Sequence, residues 1–160
     1  MLPVPGLALP GLAPDADLYA RITRVVEDPE RADLATAQWL ERCLDEHRRI
    51  EDTIGGRPLL AVVREQLRVV ADLARCADGP LAVRLVSLAA QYAQFMAWLC
   101  IDNHDQGAAL AWYDRAHGWA VEAGDANMAA TTLSMRAHQA WSSGQPRRCI
   151  TLCGAPATTC

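Results

Sequence analysis

Five loop marks cut the chain at nearly even intervals: Gly55-Gly56-Arg57-Pro58, Asp78-Gly79-Pro80, Asp102-Asn103-His104-Asp105, Gly124-Asp125 and Gly144-Gln145-Pro146. Between them lie stretches of about twenty residues in which apolar side chains recur with the 3.6-residue period of a helix. Regular punctuation of this kind predicts an all-α chain of antiparallel helical hairpins, stacked as solenoid repeats stack. Such architectures present surfaces for recognition, so the pattern points to binding rather than catalysis.

The first helix is expected over Asp17–Glu27, with Leu18, Ile22, Val25 and Val26 on one side and Asp28-Pro29 ending it. Asp33 is a good N-cap for a second helix reaching about Ile54, whose buried stripe is Leu40, Cys43, Leu44, His47, Ile50 and Ile54. Gln38, Arg42, Asp45, Arg49 and Asp52 make its other face a solvated one. Pro58 suits the first turn of a third helix that buries Leu59, Val63, Leu67, Val70 and Leu73. The fourth, from Pro80 to about Ile101, is apolar almost throughout and long enough to span a bilayer. Its exceptions, Arg84, Ser87, Gln91 and Gln94, are spaced three, four and three apart and form one polar stripe. That stripe predicts a central helix with one wet edge and no membrane span.

The fifth helix, about Asp105 to Ala123, is expected to pack through Ala109, Trp112, Ala116, Trp119 and Ala120. The sixth, Asp125 to Ser142, offers Ala129, Leu133, Ala137, Ala140 and Trp141. A seventh from Pro146 has only Arg147 to Cys153 before Gly154-Ala155-Pro156 breaks it. The expected fold is therefore about six helices plus a partial seventh over residues 17–153, between a Pro-rich arm at 1–16 and a tail at 154–160. Helix starts return two helices later, about 45 to 47 residues on, so two helices make one repeat.

Composition narrows the function. A net charge of -4 supplies no basic face for phosphates, so this chain is not expected to bind DNA by itself. Every basic residue is Arg and none is Lys, with Ala abundant, which suits a GC-rich bacterial genome. Six scattered cysteines without secretory flanks favour a reduced, cytoplasmic compartment, with Cys43, Cys76 and Cys100 expected as buried thiols. No glycine-rich phosphate loop, HExxH or nucleophile elbow is present, and the carboxylate pairs Asp45-Glu46 and Glu51-Asp52 fall on the solvated face, so no enzyme is expected.

The stretch Gln91 to Gly144 carries Tyr-Ala-Gln-Phe-Met-Ala-Trp-Leu at 92–99, Ala-Trp-Tyr-Asp-Arg-Ala at 111–116 and a Glu-Ala-Gly-Asp turn at 122–125. It resembles the tetratricopeptide-like C-terminal region of actinobacterial Cro/repressor-type (XRE) helix-turn-helix transcriptional regulators, and the likeness extends back to about Leu18. Ala109, Tyr113 and Ala116 match the small-aromatic-small positions of a repeat's second helix, and Ala97 the small position of its first; Cys100 stands where an aromatic is expected. The resemblance implies a right-handed solenoid and a sensor or interaction role. Proteins of that family carry a DNA-binding domain ahead of this region and further helices after it; neither is found here, so DNA would be reached only through a domain absent from this chain.

In that architecture the first helix of each pair lines the concave face. Arg84, Ser87, Gln91 and Gln94 with Thr131, Ser134 and His138 are then the candidate groove for a protein, peptide or small-molecule effector. The competing reading makes the stripe plain solvated surface, or a partner for nearby loops. The five tryptophans are expected in the core rather than around a ligand. Asp102 to Asp105 gathers metal-capable side chains in consecutive positions that rarely converge on one ion, with Asp105 better explained as an N-cap; Cys149, Cys153 and Cys160 lack a fourth ligand, so no metal or cofactor is expected. An exposed apolar edge at the broken last repeat would favour a homodimer.

Overall fold

A computed structural model of the chain describes residues 16–154, apart from the side chains of Ala16, Leu18 and Tyr19. Expectations for the arm, the tail beyond Gly154, Leu18 and Cys160 lie outside the described residues. Among those described there are seven α-helices and no strand: α1 (Ala16–Glu27), α2 (Leu34–Ile54), α3 (Leu60–Cys76), α4 (Gly79–Asp102), α5 (Gln106–Glu122), α6 (Ala126–Ser142) and α7 (Pro146–Cys153). Short 3-10 turns at Pro29–Arg31 and Arg57–Leu59 lead into α2 and α3. No described helix is long and apolar enough to cross a membrane.

Local sequence explains the ends of the helices. Asp33, Asp105 and Asp125 each accept a hydrogen bond from the backbone N–H three residues on, satisfying donors that a helix start leaves open. The three turns joining α4 to α7 share one geometry. His104, Gly124 and Gly144 take φ of 62°, 68° and 70°, and the next residue donates its N–H to the carbonyl five back, as Asp105 does to Cys100. This is the Schellman arrangement, which needs a left-handed residue and therefore favours glycine.

Around α4 the helices are packed on several sides. Its strongest pairings are with α5 and α3, and it also touches α2 and α6. Leu85, Leu88, Tyr92, Met96 and Leu99 are at most 1% exposed, each worth roughly 1.5–3 kcal/mol of burial for the aliphatic members. The hydroxyl of Tyr92 donates to the carbonyl of Leu40 at 2.9 Å and lies 3.0 Å from Gln66 Oε1, which ties α4 to α2 and α3. Ala89, Ala93, Ala109, Ala116 and Ala120 are fully buried, and such small side chains let α4 and α5 approach closely. By contrast the backbones of α2 and α3 approach each other at few points, and Trp39, Leu40, Leu44, Val63, Leu67 and Val70 of these two helices are all buried in the core.

Several packing expectations change. Ile54 is exposed rather than buried, since α2 ends there at Gly55. Trp141 is 67% exposed, because the inward positions of α6 are taken by Thr132, Ala137, Gln139 and Ala140. The polar residues there meet polar ones on α5: Gln139 Nε2 donates to Gln106 Oε1 at 2.6 Å, His117 Nδ1 lies 3.1 Å from Thr132 Oγ1, and Arg136 pairs with Asp114 at 2.8 Å. Cys76 is exposed near the end of α3, whereas Cys43 and Cys100 are buried and burial pushes the Cys43 thiol up to about 12.

Candidate functional site

The polar stripe of α4 is largely spent on the protein itself. Arg84 donates from Nε and Nη2 to the two carboxylate oxygens of Glu41 on α2, at 2.7 and 2.6 Å. This fork-to-fork geometry orients the guanidinium firmly. Ser87 Oγ donates to Asp125 Oδ2 at the start of α6, 3.0 Å away. Gln91 and Gln94 are half-buried. The next position at helical spacing belongs to Trp98, 42% exposed, whose indole N–H donates to Glu51 at 3.2 Å. Trp98 thus continues the stripe, although its hydropathy suggested core.

On α6, Thr131, Ser134 and His138 are all exposed, and Thr131 Oγ1 donates back to Asn127 within its own helix. No hydrogen bond or ion pair among the described residues joins these three to the α4 stripe. Arg84 and Ser87 instead bridge to α2 and to the α6 cap.

A solvent-open groove of about 770 Å³ lies elsewhere, between α3 and α5. Leu67, Ala71 and Ala74 of α3 and Val86 of α4 contribute apolar surface, and Trp112 and Trp119 line it from α5. The spacing of Trp112, Arg115 and Trp119, three and then four residues apart, puts them on one helical face. The guanidinium carbon of Arg115 sits 5.3 Å from the ring centroid of Trp112 and 5.9 Å from that of Trp119, within reach of a cation–π attraction to both.

The charges around the groove are unevenly used. Arg68 is held by Glu65 and Asp72, at 2.6 and 2.9 Å, and Arg75 pairs with Asp72 as well. These two arginines neutralise the acidic side of α3. Arg115 and Arg64 also line the groove, and neither has a carboxylate partner among the described residues.

Trp112 and Trp119 are half-buried, packed on the core through part of their surface while the rest lines the groove. Of the five tryptophans only Trp39, 3% exposed, is a core residue throughout. Spacing alone shows that Trp112 and Trp119 share a face. What that face meets depends on α3, which lines the groove from the other side.

The loop at 102–105 divides its carboxylates: Asp102 Oδ2 accepts from Gly56 N at 2.9 Å and Asp105 caps α5. Among the described residues no three of His, Cys, Asp and Glu are grouped to hold a metal ion. Cys149 and Cys153 stand four residues apart on α7.

Compared with protein-family models, curated proteins and solved structures, the chain finds no match.

Proposed function

We propose that this chain is a recognition module of stacked helical hairpins, a tetratricopeptide-like right-handed solenoid, acting as the sensor or interaction part of a bacterial transcriptional regulator. The observation that carries the recognition reading is the groove between α3 and α5, with its tryptophan wall, apolar floor and two arginines left without carboxylates. Its size falls within that of small-molecule sites, and its mix of apolar surface with few polar groups is what such sites use.

The solenoid reading is supported by the contacts of α4 with both α2 and α6, the first helices of the neighbouring pairs, and by the recurring turn at His104, Gly124 and Gly144. Ala97, Ala109, Tyr113 and Ala116, which match the repeat's small and aromatic positions, are all fully buried. The transcriptional role is drawn from the resemblance of Gln91 to Gly144, and it places the module in the cytoplasm, controlling a DNA-binding domain fused to it. A stand-alone scaffold is the alternative, decided by whether an in-frame helix-turn-helix segment is encoded just upstream.

A thermal-shift screen of metabolites and short peptides tests recognition, using wild-type protein and Ala71→Trp, which fills the groove. Compounds that raise the melting temperature of wild type and not of the variant support the proposal. The proposal fails if every stabilising compound acts equally on both proteins, or if none stabilises wild type.

A further inference from the structure

The groove's chemistry selects a ligand class. Arg115 is exposed, its guanidinium lies within cation–π reach of two indole rings, and no carboxylate among the described residues pairs with it. A planar donor fork is what a carboxylate binds most effectively, by two parallel hydrogen bonds. Arg64 stands on the same groove, also without a carboxylate partner among the described residues.

The same lining argues against a polyanion. Glu65, Asp72 and Glu122 border the groove beside Arg64, Arg68, Arg75 and Arg115, so its lining is one positive charge in excess, which a single carboxylate neutralises and further negative charges exceed. Beyond the arginines the surface is Leu67, Ala71, Ala74 and Val86 with the indole faces, which rewards an apolar body. A volume of about 770 Å³ suits a small molecule rather than an extended chain.

We infer that the α3/α5 groove binds a small organic acid carrying one carboxylate on an apolar body, with Arg115 as the carboxylate's partner. This rests on the groove being the recognition site.

Calorimetric titrations with decanoate and with decanol, which share the apolar chain and differ in charge, test the inference. Wild type binds decanoate at least about tenfold more tightly than decanol, a gap of about 1.4 kcal/mol. Arg115→Met removes that preference and leaves decanol binding unchanged, while Ala71→Trp weakens both. Arg115→Lys, which keeps the charge and loses the fork, retains part of the preference and serves if the Met variant unfolds. Equal binding of the two probes by wild type, or an undiminished preference in the Met variant, overturns the inference and leaves the groove as a recognition site. A carboxyl-free apolar tetrapeptide that displaces decanoate and binds more tightly overturns the small-molecule assignment. Failure of both probes to bind wild type overturns the inference together with the small-ligand reading of the groove.

Discussion

Ser87 and Asp125 meet at 3.0 Å between the middle of one helix and the start of another. The carboxylate has two uses: Oδ1 accepts from the N–H of Met128 and caps α6, while Oδ2 accepts from Ser87 on α4. One side chain therefore both starts α6 and docks it. Ser87→Ala removes only the docking bond and is expected to cost about 0.5–1.5 kcal/mol. Asp125→Ala removes the cap as well, with a further loss of about 1 kcal/mol. Urea denaturation of both variants checks the order; equal losses would show that the cap contributes nothing measurable.

Gly56 is constrained by space and not by its backbone angles, which are those of a right-handed helix. A Cβ there would come within 2.8 Å of Leu99 Cδ2 and 3.1 Å of Asp102 Oδ2. Leu99 is fully buried and Asp102 is bonded to the Gly56 N–H, so neither moves aside freely. Gly56→Ala is expected to destabilise by about 1–3 kcal/mol, in the range of overpacked cores, as read by its denaturation midpoint. Leu99→Ala should partly rescue it in the double variant, since it vacates the colliding atom.

The αL position at His104 is held by a residue with a Cβ, where Gly124 and Gly144 hold its two counterparts. His104→Gly relieves that strain and is expected to raise stability by up to about 1 kcal/mol, partly offset by the greater freedom of glycine in the unfolded chain. Gln145, at the start of α7, makes no capping bond. Gln145→Asp supplies one and should add about 0.5–1 kcal/mol to α7, seen as slower amide exchange there. Unchanged exchange in α7 would mean that the added carboxylate does not cap the helix.

His47 is fully buried, with Nδ1 2.6 Å from the Cys43 carbonyl oxygen and Nε2 without a partner among the described residues. Burial lowers its pKa below the usual 6.5, although the Cys43 carbonyl and Glu46 oppose the shift. The unfolded chain thus takes up the proton more readily than the folded one. Stability contributed by neutral His47 is complete above about pH 6.5 and declines as pH falls from there toward the lowered folded value, by at most about 1.4 kcal/mol per pH unit. His47→Gln cannot titrate, so the difference in unfolding free energy between the two proteins should change between pH 7.5 and 5. A constant difference would mean that the imidazole protonates equally well in both states.

How far the chain could be read in advance varied with the distance over which each cause acts. Helix number and ends were legible because Asp33, Asp105, Asp125, Gly55 and Gly144 act on their immediate neighbours. The buried stripe Leu59, Val63, Leu67, Val70 and Leu73 was legible because one face of α3 is uniformly apolar. Polar interiors were not: Thr132 and Gln139 look like surface, and only the matching Gln106 and His117 on α5 make their burial tolerable.

By itself the sequence determined six helices and a short seventh, their turns and the apolar face of α3, since these follow from periodicity and capping within a few residues. Tertiary structure alone decided that Arg84 and Ser87 serve as struts and that Trp112, Arg115 and Trp119 line an open groove with α3. The physical reason is that a side chain's spacing sets which way it points, whereas its work depends on what lies opposite, and here that is a helix two elements away in the chain.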